Sequence, residues 1–161
     1  LSDRFLATAS EQSPITSNGE WLLLQRSAEH DFYQQGGEAE FPHYGTGRRS
    51  IANLEELSEK LAKAGIPIRL YEPGAADLLD QISTFNRSQG VIAIRGAELA
   101  NIMWMRPGQK VVMVATPVQE ETHVSWNLAH LFGVDFYRLT ATSNYPKIDE
   151  SQTFKPIDYC R

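Results

Sequence analysis

Arg95 and Gly96 close a short apolar run, Val91-Ile92-Ala93-Ile94, and open a segment of helical character, Ala97-Glu98-Leu99-Ala100-Asn101-Ile102-Met103-Trp104-Met105. Three features combine here: a guanidinium at the carboxyl end of a strand, a glycine that admits a close ligand, and the N–H groups of a new helix N-terminus. Together they suit an anion, phosphate above all. Related residues recur past other apolar runs. Arg26 follows 21–25, Glu72 follows 66–71, Thr116 follows 111–115, and Arg138 lies in or near the end of 134–139. Arg48 and Arg49 precede a helical stretch. With parallel strands, all of these fall on one edge of the sheet, the edge at which open α/β sheets bind ligands. Each arginine alone also fits an unrelated surface ion pair. Only their convergence points to a site.

Glu98 has three readings: an ion-pair partner of Arg95, an acceptor for a sugar hydroxyl, or a carboxylate complementing the helix dipole. His123 and His130 are seven residues apart on one helical stretch, yet no carboxylate or cysteine stands at metal-ligand spacing beside them. Solvated or capping histidines fit better. Met103, Trp104 and Met105 fit core packing, with Trp104 also open to a stacking role. There is no G-x-S-x-G, no Walker loop and no G-x-G-x-x-G, so serine-hydrolase, P-loop and dinucleotide readings lack a motif.

The elements that must position these residues follow from periodicity. Trp21–Gln25 is the first strand, and 27–46 is a long connection without a period, expected to be mobile without ligand. Asn53 stands as N-cap with Glu56 three residues on, Leu54, Leu57 and Leu61 form one face, and Gly65 marks the helix end. Strand 66–71 leads through Glu72-Pro73-Gly74 to a helix over 75–88, with Leu78, Leu79, Ile82 and Phe85 on one side. The strand 91–95, its helix and the strand 111–115 come next. Helix 121–132 presents Val124, Leu128 and Leu131, and a last strand spans 134–138. Strand and helix alternate, and the runs at 91–94 and 111–115 are apolar without interruption, as in strands covered on both faces. The expected fold is α/β: a Rossmann-like, three-layer domain with a mostly parallel sheet of about five strands, 91–95 in its interior. Residues 1–20 read as a lead-in, 21–139 as the domain and 140–161 as a polar tail.

At 161 residues the chain is long enough for one domain with a real core. A net charge of −5 argues against bulk attraction to nucleic acid or an anionic membrane, so any phosphate site must be local. A single cysteine, Cys160, excludes an intrachain disulfide framework. No apolar stretch is long enough for a membrane span.

The segment RGAELANIMWMRPGQKVV resembles the hallmark segment of glycosyltransferase family 61, which holds bacterial capsular-polysaccharide transferases and eukaryotic xylosyl- and N-acetylglucosaminyl-transferases. WLLLQR, GRRSIANLEEL and WNLAHLFGVDFYRL resemble further pieces of that family in the same order, so the likeness runs over roughly 21–139. The chain departs from the family pattern at Arg95 (usually His), Glu98 (usually Gly) and Met113 (usually Glu). The resemblance implies one Rossmann-like half of a GT-B enzyme, the C-terminal half that holds a nucleotide-sugar donor, in an inverting transferase of surface or capsular polysaccharide biosynthesis. It implies donor binding by Arg26, Arg49, Arg95, Gly96, Glu98, Asn101 and Thr116, with Arg95 as the residue acting on the leaving group. No metal or other cofactor is expected, since protein cations would stabilise the departing nucleoside diphosphate. The partners implied are a nucleotide sugar and a glycan acceptor, in a bacterial cytoplasmic protein, possibly peripheral at the membrane. The chain begins at Leu1, so an acceptor-binding half missing upstream is expected under this reading. Glu38, Glu40 and His43 are ionisable candidates near the edge, and none is assigned as base. The alternative is a stand-alone Rossmann-like module that binds a nucleotide, a phosphorylated ligand or a protein partner without catalysis.

Overall fold

The five apolar runs are five strands: β1 (Trp21–Leu24), β2 (Ile68–Tyr71), β3 (Gly90–Ile94), β4 (Lys110–Ala115) and β5 (Asp135–Thr140). They form one sheet in the order β2-β1-β3-β4-β5, and every neighbouring pair is parallel. This computed structural model describes residues 19–27, 50–115 and 123–140. The expectations for 1–18, for most of the connection 27–46 with Glu38, Glu40 and His43, for Arg48, Arg49 and Thr116, and for 141–161 lie outside the described residues.

The chain steps from β1 outward to β2, crosses back over β1 to β3, and then proceeds through β4 to β5. Right-handed crossovers put a helix of the first step on one face and those of the later steps on the other. Three α-helices make the connections: α1 (Leu54–Lys63), α2 (Leu78–Arg87) and α3 (His123–Leu131). α1 packs on β2, whereas α2 and α3 both pack on the segment Ala97–Trp104 between them. The architecture is the Rossmann-like three-layer fold, with β3 and β4 in the interior. Val91, Ala93, Val111, Met113 and Ala115 lie in the main core with Phe85, Leu99, Ile102 and Ala129. Burial of both strands explains why their sequences run apolar instead of alternating.

Local signals set most helix ends. α1 closes in a Schellman arrangement: Gly65 N–H donates to Ala62 O and Ile66 N–H to Leu61 O. Gly65 has φ +80, a conformation that needs no Cβ. Its N-terminus differs from expectation, because Asn53 makes no side-chain cap and instead turns its amide to Glu56 Oε2 (3.3 Å). α2 begins three residues later than expected, after a 3₁₀ turn at Pro73–Ala75, because Asp77 caps Asp80 N–H (2.8 Å). Leu78 is consequently exposed, and Ile82 and Phe85 carry the buried face.

Two further corrections concern packing. Ala97–Trp104 is 3₁₀, not α-helical. Gly96 before it is extended, and Met105 after it is extended, buried and followed by Arg106-Pro107, so the segment must fit a short path between two adjacent strands. The tighter turn of a 3₁₀ coil suits such a connector. On α3, Val124 and Leu131 are exposed and Ala129 is fully buried, with Leu128 and Phe132 packed beside the core. Of the expected face Leu128 stays beside the core, whereas Val124 and Leu131 turn outward and Ala129 takes the buried position.

Candidate functional site

In a doubly wound sheet of order 2-1-3-4-5, the topological switch lies between β1 and β3. The chain leaves that point in opposite directions, which opens a crevice at the strand carboxyl ends. A cavity of about 560 Å³ opens there, with Leu24, Gln25 and Arg26 from the end of β1, Ile94 from the end of β3, and residues 50–56 of the α1 N-terminus among its lining. Arg26 and one helix N-terminus therefore line the same space. The N-terminal N–H groups of α1 carry no side-chain cap from Asn53, and such groups bind anions readily.

The central contact is long-range. Arg26 Nε donates to Glu98 Oε1 at 2.8 Å, joining residues 72 apart in sequence, and the two side chains are 15% and 18% exposed. The contact uses one guanidinium nitrogen and one carboxylate oxygen. Glu98 Oε2 is buried and, among the described residues, is the side-chain polar atom left without a hydrogen-bond partner. Gly96 makes room for it: a Cβ there would fall inside contact distance of Oε2 and 3.7 Å from Arg26 Cζ. The glycine thus leaves room for the carboxylate tip as it is placed here, and its extended backbone itself suits any residue.

These contacts change the reading of the expected site. Glu98 pairs with Arg26, not with Arg95. Arg95, Gly96, Glu98 and Asn101 all follow β3 on the carboxyl edge, and Arg95 N–H donates to Val114 O (3.2 Å). Arg95 itself is not part of the cavity lining, and its side chain has interactions of its own. Asn101 folds back, Nδ2 donating to Glu98 O at 3.2 Å. Arg138 sits within β5, in register with Met113 two strands from the crevice. Arg49 and Thr116 lie outside the described residues. The contribution of Gln25 and of the uncapped first turn of α1 was missed, since Asn53 followed by Glu56 has the sequence form of a closed capping box.

Electrostatics within the described lining are mixed. Glu56 is held below its ordinary value by hydrogen bonds from Lys60 and then Asn53, and it sits on the exposed side of α1. At the end of β2, Tyr71 donates to Asp80 Oδ2 (2.7 Å). Burial first, and that hydrogen bond second, push its phenol upward. Among the described residues no group of three or more His, Cys, Asp or Glu side chains is placed to hold a metal ion. His130 stacks on Trp126, with ring centroids 5.5 Å apart. Trp104 packs beside the core while Met103 is exposed. No described helix is long and apolar enough to cross a membrane.

Fold and crevice together define a Rossmann-like domain with an anion-compatible switch point. Residues 43–112 match the family model described as glycosyltransferase 61. The match takes in the α1 side of the cavity and Glu98, whereas Arg26 lies outside it. No curated protein matches the chain in sequence.

Proposed function

We propose that this chain is the donor-binding domain of an inverting family 61 glycosyltransferase, holding the diphosphate of a nucleotide sugar in the crevice between β1 and β3. The observation that carries this reading is Arg26 meeting the uncapped α1 N-terminus around one cavity at the switch point. In glycosyl transfer the acceptor oxygen forms a bond to the anomeric carbon while the bond to the diphosphate breaks. The bonding electrons leave with the nucleoside diphosphate. A cation and a helix N-terminus at that position stabilise charge as it develops, without reorganisation. Arg26 takes the leading role. Arg95, on the same edge but outside the lining, acts as a second and more distant cation, and the backbone at Gly96 admits the ligand. The acceptor and the catalytic base belong to parts of the enzyme beyond this crevice, and the product fits a surface or capsular polysaccharide.

Calorimetric titration with a panel of nucleoside diphosphates tests the reading. Binding to the chain, weakened in Arg26→Ala by about 1.5–3 kcal/mol, the scale of a charge-assisted hydrogen bond, is the expected outcome. Unchanged affinity in that variant would place the diphosphate elsewhere.

A further inference from the structure

The Arg26–Glu98 pair is unevenly satisfied. Among the described residues, Glu98 offers one oxygen to a single guanidinium nitrogen and keeps the other buried, unpartnered and close to Gly96. An ionised carboxylate accepts several hydrogen bonds when it is well placed, and a buried oxygen without a partner forfeits its hydration. Glu98 is therefore poorly seated. The same contact neutralises the cation that the crevice presents to an anion.

We propose that Glu98 is an internal competitor for Arg26, standing where a ligand phosphate would stand and exchanging with it on binding. The proposal rests on the donor-binding reading above and adds a residue that sets the site's affinity and its choice among anions. A diphosphate brings more charge than a carboxylate and a geometry that the guanidinium fork can take bidentately. As Glu98 leaves, Oε2 regains water. Both changes favour exchange for a ligand with two phosphates. A singly charged carboxylate ligand gains little over the glutamate already present, so the pair screens the site against weak anions. The exchange forms and breaks no covalent bond. It needs only rotation of Glu98, whose side chain is partly exposed at the start of a 3₁₀ segment.

The test is Glu98→Gln in the 161-residue chain, titrated with inorganic pyrophosphate and uridine diphosphate, with melting temperature followed in parallel. Glutamine keeps the shape and removes the charge. Competition predicts binding tighter by roughly 3- to 10-fold, the worth of a partly exposed charged contact. The gain must vanish in the Arg26→Ala background. Unchanged or weaker binding in Glu98→Gln overturns the proposal, because it would make Glu98 a residue that positions Arg26 or a bystander. A separate outcome belongs to the underlying reading: if Arg26→Ala alone leaves pyrophosphate affinity unchanged, the crevice is not the diphosphate site. Should Glu98→Gln melt below the assay temperature, Glu98→Ser, which also removes the charge, gives the same two-way answer.

Discussion

The two edges of the sheet solve opposite problems. At the amino edge, Gln109 is buried between the end of α2 and the start of β4. Its amide nitrogen lies against the carbonyl oxygens of Phe85, Asn86 and Ser88, and its amide oxygen accepts from Arg106 N–H. Carbonyls left open at a helix C-terminus are thereby capped. Around them, Gln89 N–H donates to Glu20 O, Gly108 N–H to Gly133 O and Asp135 N–H to Gln109 O. This edge also has a concavity, about 570 Å³, lined by Arg87, Arg106 and Lys110 among others. Its buried polar groups are already spoken for. At the carboxyl edge, among the described residues, a helix N-terminus lacks its side-chain cap and a carboxylate oxygen is buried without a partner. Two hollows of similar size thus differ in what they leave unsatisfied. The contrast lies in open hydrogen-bonding capacity and not in volume, and the proposed ligand edge rests on that capacity.

The largest effect expected from breaking this contrast is at the amino edge. Gln109→Ala removes a buried amide that several main-chain groups share, and should cost about 2–4 kcal/mol of stability in denaturant unfolding. Diphosphate affinity at the opposite edge should hardly move. Next comes the carboxyl edge, with the reverse signature. Arg26→Ala should weaken nucleoside diphosphate binding by about 1.5–3 kcal/mol, with a stability change of no more than about 1 kcal/mol, since the pair is partly exposed. Arg95→Ala should weaken binding by less than about 1 kcal/mol, as suits a more distant cation.

Tyr71 sharpens the comparison through pH. Burial and the bond to Asp80 favour its neutral phenol in the folded chain, raising it above the ordinary value of 10.0. Its contribution is therefore fully present below pH ~10 and is lost as pH rises toward the folded value. Tyr71→Phe should cost about 1 kcal/mol at neutral pH and flatten the alkaline decline in stability. The smallest effect belongs to Glu56, an exposed group on α1 held low by Lys60 and Asn53. Its contribution is present above its ordinary value of 4.5 and is lost as pH falls. Glu56→Gln should show a change near the limit of detection, erased by added salt.

The sequence carried the sheet well because burial on two faces leaves a plain signature: the apolar runs at 91–94 and 111–115 are interior strands, and the helical crossover between successive strands makes neighbours parallel. Gly65 was readable for a local reason, a stop signal two residues past the helix. The site was legible only as an edge. Arg26 and Glu98 are 72 residues apart, and their pairing depends on β1 lying beside β3, which no local pattern encodes. Arg95 looked like the partner because it is near in sequence. Asn53 and Glu56 have the spacing of a capping box yet bond to each other, leaving the turn open. The 3₁₀ form of Ala97–Trp104 was hidden because its apolar spacing also fits an α-helix, and the geometry of the connection decides between them.

The most direct test of the central claim is to map amide chemical-shift changes on titration with uridine diphosphate. They should concentrate at 24–26, 50–56 and 94–98, around the β1–β3 crevice, and weaken in Arg26→Ala. Changes centred instead on 87–89 and 106–110, at the Gln109 edge, would contradict it.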